Sequence, residues 1–200
     1  MEAFSQDKVQ LALGSLPSHR HRLAFAAGVC ERLLPNYDAF SREVAWGDPT
    51  LLRRGLAIVW RVVQGGTVRL AEIRELQAMI RAVTPDTEDF GSPLTSAALD
   101  ASSAVHEALE ACFRDEPRRI AEIATLARDT VDMYVRERDD LHSSDPLFQQ
   151  RILVDPLMVR ELEKQRSDLN LLTRTQLDAD FVRRYREGAQ YGGKSSIDIS

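Results

Sequence analysis

Apolar residues recur along most of this chain at spacings of three and four, the period of an amphipathic α-helix. The clearest stripe joins Ile120, Ile123, Ala127, Val131 and Tyr134. No stretch alternates convincingly between apolar and polar positions with the period of two that marks a half-buried strand. The pattern therefore predicts an all-α protein.

Helix boundaries are predicted from the capping residues and prolines that lie between the apolar stripes. Pro35 is expected to end a helix over residues 18–34, because the residue before a proline is steered away from helical geometry. A short helix over residues 36–44 follows. Asp48 and Pro49 together predict an N-cap and a first helical position, for a helix that continues to residue 64. The last helix is predicted to run from Pro156 to residue 187.

The domain organisation follows from these helices and their short connections, which favour an up-and-down helical bundle. We expect a single domain of about seven to eight helices over residues 1–187 and a C-terminal tail over residues 188–200. The 200 residues are enough for one core that buries roughly 70% of the unfolded surface. No internal repeat or linker indicates a second domain.

Composition and charge argue against a nucleic-acid-binding, secreted or membrane protein. The formal net charge of −5 argues against a nucleic-acid partner, which would require a basic face. Residues 1–7 do not resemble a secretory signal, and no segment has the roughly 18 consecutive apolar residues of a membrane span. Cys30 and Cys112 lie in apolar helical segments and are expected to be reduced core residues. We therefore expect a cytoplasmic protein without a membrane partner.

The densest group of aromatic and charged residues lies between positions 30 and 60. The helix before Pro35 is apolar on two faces and is expected to be central. Glu31 and Arg32 lie at the edges of those faces, where a buried charge requires a partner. The next long helix is expected to supply partners through Arg53 and Arg54, with Asp48 as a further carboxylate.

Three segments carry a family resemblance: the run CERLLPNYDAF at positions 30–40, the sequence WGD at positions 46–48, and the ending GGKSSIDI at positions 192–199. With them the chain resembles the YjaG-like family of small bacterial proteins of unknown function over nearly its whole length. The resemblance implies a fold and a cytoplasmic location, and it supplies no activity. The family pattern has an aspartate where this chain has Ala57, so a site built on that carboxylate is not implied here.

Two interpretations of the 30–60 block remain open. The first is a polar pocket that holds a small anion or a peptide terminus, and it requires Arg32, Tyr37 and Arg54 to converge on an open concavity. The second is a sealed ion-pair network that fixes how two central helices cross, and it is favoured because structural charge networks are common. In the first interpretation the binding residues are Glu31, Arg32, Tyr37, Trp46, Asp48, Arg53 and Arg54.

Other motif matches lack the structural context that their chemistry needs. Residues 188–195, GAQYGGKS, match the phosphate-binding loop formally. That loop joins a strand to a helix whose N-terminal amides bind phosphate, and neither element is predicted here. His106 and Glu110 have the spacing of a helical metal pair, as do many solvated helix faces. We therefore expect no catalytic residue, no metal and no cofactor.

These observations leave two hypotheses for the function. The leading one is a non-catalytic interaction or regulatory protein, because no coherent catalytic set is present. Its protein partner is not identified by the sequence. Self-association as a homodimer through residues 120–134 is one explanation of that stripe, and a bundle core explains it equally well. The alternative is a small-molecule or metal-binding protein, with or without enzymatic activity, whose site lies within residues 31–60.

Overall fold

Nine α-helices form the described part of the chain, residues 6–200 of a computed structural model. Residues 1–5, which the signal-peptide prediction includes, lie outside that part. The all-α prediction is confirmed, and the number of helices is close to the one expected. The helices are α1 (Gln6–Gly14), α2 (His19–Val44), α3 (Pro49–Val63), α4 (Leu70–Ala82), α5 (Thr95–Ala111), α6 (Pro117–Arg138), α7 (Phe148–Val154), α8 (Pro156–Arg174) and α9 (Ala179–Glu187).

The longest helix, α2, is the central element of the fold. It packs against α3, α5, α6, α8 and α9, and its residues 23–37 are buried without interruption. Both apolar faces of this helix therefore meet other helices, which confirms its predicted central position. Within residues 6–200 no helix combines the length and the apolar character needed to cross a lipid bilayer.

Pro35 lies inside α2 and does not end it, so this boundary prediction is wrong. Proline has no N–H, and the carbonyl oxygen of Glu31 therefore lacks its usual helical donor. Gln190 supplies a replacement, because its Nε2 donates to Glu31 O at 3.0 Å. The backbone N–H of Ser196 donates to the next carbonyl, that of Arg32, at 3.1 Å. Tertiary hydrogen bonds thus satisfy the carbonyls beside the proline, and α2 continues to Val44.

The predicted last helix is two helices in the structure, because α8 ends at Arg174 and α9 begins at Ala179. Asp178 caps α9, and its side chain accepts a hydrogen bond from Phe181 N at 2.7 Å. The break lets α9 return to α2, where Tyr185 packs against Gly28. A Cβ atom at Gly28 would lie only 2.8 Å from Tyr185 Oη, so a glycine is needed for this close approach.

The C-terminal segment, residues 188–200, packs against α2 and α8. Gly192 and Gly193 have φ angles of 63° and 86° and form a two-residue turn between Tyr191 and Lys194. Glycine adopts this left-handed geometry without a steric penalty. After the turn, residues 195–197 are buried. This segment is therefore packed as part of the helical fold.

Candidate functional site

The structure distributes the predicted site residues over three separate places. Glu31 and Arg32 lie in the middle of α2, Tyr37 and Trp46 belong to an aromatic cluster near the end of α2, and Asp48, Arg53 and Arg54 lie at the start of α3. Each place has its own set of partners.

Arg32 is fully buried, and its guanidinium forms four hydrogen bonds. Nε and Nη2 donate to the two carboxylate oxygens of Glu161, at 3.0 and 2.9 Å. Nη1 donates to Asp168 Oδ2 at 3.3 Å and to Gly28 O at 2.9 Å. This paired, bidentate arrangement is the strong form of an arginine–carboxylate interaction. It attaches α8 to α2.

Further side chains complete this arrangement, which we call the Arg32 network: Arg32, Glu161, Lys164, Gln165, Asp168 and Tyr191. Gln165 Nε2 and Tyr191 Oη donate to Glu161 at 2.9 and 2.8 Å, and Lys164 pairs with Asp168. Burial acts to raise the pKa of the Glu161 carboxyl, but Arg32 and the hydrogen bonds from Gln165 and Tyr191 together outweigh it, and the pKa lies below its usual range. The buried charges thus compensate one another.

Glu31 has different partners from those expected. Its Oε1 accepts hydrogen bonds from Trp60 Nε1 and from Arg186 Nε, both at 2.8 Å. The guanidinium of Arg186 also lies 5.7 Å from the centroid of the Trp60 ring. The prediction that Arg53 or Arg54 pairs with Glu31 is therefore wrong. The cation comes from α9, and α3 contributes an indole instead.

Tyr37 and Trp46 stabilise the junction between α2 and α3. Phe40 lies between them, and Phe90 covers Trp46 with ring centroids 4.9 Å apart. The hydroxyl of Tyr37 donates to the carbonyl of Val83, and burial raises its pKa to about 12. Tyr37 therefore keeps its proton and anchors the chain after α4.

The third place is the exposed beginning of α3. Asp48 Oδ1 accepts from Thr50 N at 2.9 Å, which confirms the predicted N-cap. Arg53 pairs with Asp38 of α2. Arg54 is exposed and lines a small groove between α3 and α4, and within residues 6–200 it has no hydrogen bond or ion pair.

Arg32, Tyr37 and Arg54 do not converge, because the first two are sealed in the interior and the third faces solvent. This geometry supports the structural interpretation of Glu31 and Arg32, with partners other than those predicted. The sequence analysis missed Glu161, Gln165 and Asp168. They occupy positions i, i+4 and i+7 on one face of α8, and this polar stripe was the signal that could have identified them.

The remaining motifs carry no reactive group. In the GGKS sequence, residues 192–195, the two glycines form the turn between Tyr191 and Lys194. Residues 196–200 form no helix that could bind phosphate. Burial raises the pKa of both thiols, that of Cys112 to about 12, so neither is a nucleophile at neutral pH. Among residues 6–200 no three histidine, cysteine, aspartate or glutamate side chains are placed to hold a metal ion.

Comparison with known proteins gives relatives over the whole chain. The sequence profile of the family described as "Protein of unknown function (DUF416)" matches residues 8–200. Protein YjaG from Escherichia coli K12 is 27% identical over 97% of both chains, and YjaG from Salmonella typhimurium is 26% identical over 98% of this chain and 97% of the relative. The crystal structure of a DUF416 family protein from Shewanella baltica OS155 matches with a TM-score of 0.87, 25% identity and full coverage of both chains.

Proposed function

We propose that this chain, which belongs to the DUF416 family of proteins of unknown function, is a non-catalytic interaction protein that acts by binding a second protein chain. The observation that carries the proposal is an apolar groove between α6 and α7. We call it the α6–α7 groove. Its volume is about 650 Å³, its apolar residues are Met133, Ile152, Leu153 and Met158, and its charged rim consists of Arg128, Asp129, Asp132 and Arg136.

Two of the apolar side chains that line the groove are exposed to solvent. Met133 is 48% exposed and Leu153 is 41% exposed, and the adjacent Val154 is 64% exposed. The short helix α7 buries Phe148 and Ile152 against the core, so its next two residues point outward. An apolar groove with a charged rim is typical of a protein–protein interaction site.

The apolar stripe over residues 120–134, which the sequence analysis considered for self-association, is not part of the α6–α7 groove. Ile120, Ile123, Ala127 and Val131 are fully buried in the core, whereas Met133 is exposed on another face of the helix. An interaction through α6 therefore has to use the face that carries Met133.

The charges on the rim favour a second copy of this chain as the occupant. Arg128 pairs with Asp129, and Arg136 pairs with Asp132, so the rim carries two charges of each sign. A two-fold axis brings the same surface of two subunits together, and such a surface must be self-complementary. Arginine and aspartate on one rim meet this requirement, because each can exchange partners across the axis.

Sedimentation velocity and native mass spectrometry over a range of protein concentrations test the proposal. The wild-type chain is expected to form a dimer, and Met133→Asp and Leu153→Asp are each expected to weaken it about tenfold or more. Full burial of such a side chain contributes roughly 1.5–3 kcal/mol, about half of each is already covered in the monomer, and the loss occurs in both subunits. Leu171→Asp is the matched control, because Leu171 is 44% exposed on α8 outside the groove. A wild-type monomer at all concentrations, or a dimer that Leu153→Asp leaves intact, would contradict the proposal.

The proposal also places the protein in the bacterial cytoplasm. Cys30 and Cys112 are both unpaired, as is usual in a reducing compartment. The relatives named above come from Escherichia, Salmonella and Shewanella. Fractionation of cells that produce the tagged chain tests this location, and recovery in the periplasmic fraction would contradict it.

A further inference from the structure

A second concavity lies between the end of α4, the connection over residues 83–94, and α5. We call it the α4–α5 pocket. Its volume is about 500 Å³, and its lining includes Arg81, Thr87, Ser103 and His106. It shares no lining residue with the Arg32 network or the α6–α7 groove, so an inference from it does not rest on the proposed function.

Arg81 is the unusual residue of this pocket. Its Nη1 donates to Nε2 of His106 at 3.1 Å, and within residues 6–200 no carboxylate lies at ion-pair distance from it. Most arginines of this chain instead pair with an aspartate or glutamate, as Arg22, Arg53 and Arg119 do. Arg81 therefore presents a positive charge and spare N–H donors to the pocket.

The orientation of the His106 ring is fixed by Glu107 and Arg119. A guanidinium only donates hydrogen bonds, so Nε2 of His106 accepts and the ring proton is on Nδ1. Nδ1 lies 3.5 Å from Glu107 Oε1, and Glu107 also pairs with Arg119 of α6. The hydrogen bond from His106, with a contribution from Arg119, holds the pKa of the Glu107 carboxyl below its usual range. The chain Arg119–Glu107–His106 thus orients the Arg81 side chain.

The carboxylates near Arg81 have other hydrogen-bond or ion-pair partners. Glu110, one turn after His106, pairs with Arg74 and Arg114. Asp86 also lines the pocket, but its Oδ1 accepts from the backbone N–H of Glu88 at 3.0 Å. None of these carboxylates, nor Glu107 in the pocket lining, lies at ion-pair distance from Arg81, so its guanidinium is available to a ligand.

We propose that the α4–α5 pocket binds the oxyanion of a small molecule, either a carboxylate or a phosphate group. Arg81 is the main ligand, because its planar fork of N–H donors matches two oxygens of such a group. The hydroxyls of Thr87 and Ser103 are further donors within the same pocket. A pocket of this volume accommodates a metabolite rather than an isolated ion.

NMR titration of the 15N-labelled protein with inorganic phosphate, and separately with acetate, at constant ionic strength tests the proposal. We expect saturable shifts of the amides of residues 84, 86, 87 and 103–107 with at least one of the two anions. Arg81→Met is expected to weaken binding about tenfold or more, since a hydrogen bond to a charged group contributes roughly 1.5–3 kcal/mol. The amide spectrum of the variant also reports whether it is folded.

Two further variants sharpen the test. Arg81→Lys keeps the charge but loses the fork, and it is expected to bind more weakly than wild type and more tightly than Arg81→Met. Arg174→Met is the matched control, because Arg174 is an exposed arginine in the last turn of α8, as Arg81 is in α4. Shifts that do not saturate with either anion, or that persist in Arg81→Met, would overturn the proposal. Tighter binding of phosphate than of acetate, or the reverse, identifies the ligand group.

Discussion

Arg32 holds a full positive charge at a position with no solvent exposure. Such a charge is tolerated only because the carboxylates of Glu161 and Asp168 accept its hydrogen bonds and balance it. The energetics of a buried pair are asymmetric, since removal of one partner leaves the other charge buried without compensation. The network therefore makes each of its members difficult to replace singly.

Substitution Arg32→Met tests this asymmetry. We expect the free energy of unfolding to fall by about 3–5 kcal/mol, because Glu161 keeps a buried negative charge without its partner. The double variant Arg32→Met with Glu161→Gln removes that charge and is expected to recover part of the loss. Urea unfolding followed by circular dichroism gives both values. A double variant no more stable than the single one would refute this explanation.

Asp100 shows the opposite effect of burial on a carboxyl group. Burial raises its pKa to about 6, although the hydroxyl of Thr130 donates to Oδ2 at 2.7 Å and acts in the other direction. The folded protein thus binds this proton more tightly than the unfolded chain does. The protonated Asp100 therefore stabilises the folded protein at pH values below the ordinary aspartate pKa of about 4. This stabilisation is lost as the pH rises through about 6.

Substitution Asp100→Asn should therefore stabilise the protein at neutral pH. The amide can still accept the hydrogen bond from Thr130, and it has no charge to bury. We expect the free energy of unfolding at about pH 7.5 to rise by about 1–2 kcal/mol, and the difference from wild type to vanish near pH 4. Urea unfolding at both pH values measures it. An equal effect at the two pH values would show that ionisation is not the cause.

At the scale of the helices, α2 depends on the C-terminal segment to pass Pro35. The carbonyl of Glu31 accepts from the side chain of Gln190 and not from a helical N–H. Pro35→Ala restores that N–H, so the effects of Pro35→Ala and Gln190→Ala on stability should be coupled. We expect Gln190→Ala to cost about 1 kcal/mol in the wild-type background and clearly less in the Pro35→Ala background.

A double-mutant cycle on the unfolding free energy measures this coupling. Gln190→Glu is a useful companion, because its side chain has a similar size but no amide donor at neutral pH. Equal costs of Gln190→Ala in the two backgrounds would show that Gln190 does not act through the Glu31 carbonyl.

The helices themselves could be predicted from the sequence to a large extent. Apolar spacing and the Asp48-Pro49 signal identified α3 and α6, because these features depend on neighbouring residues only. The boundaries at Pro35 and Thr175 could not be identified in this way. Pro35 is accommodated by donors more than 150 positions away, and the sequence gives no indication of which distant segment will supply them.

At the scale of the whole molecule, the partners of Glu31 and Arg32 could not be predicted because they too are distant in sequence. The sequence indicated correctly that Glu31 and Arg32 are buried and need partners, because a helix that is apolar on two faces has to be central. It did not indicate that the partners are Arg186 and Glu161. Local spacing identifies the face on which a residue lies, but the choice of the helix that covers this face is a property of the complete fold.

One consequence concerns the order in which the chain is made. Arg32 precedes Glu161 by 129 residues, and at 5–20 residues per second a ribosome needs on the order of ten seconds to produce that stretch. Throughout this interval the arginine of the central helix has no carboxylate partner, and the carbonyls beside Pro35 wait still longer for Gln190 and Ser196. Each newly synthesised copy therefore reaches its native structure only after residue 196 has been translated, and until then its central helix is open to chaperones.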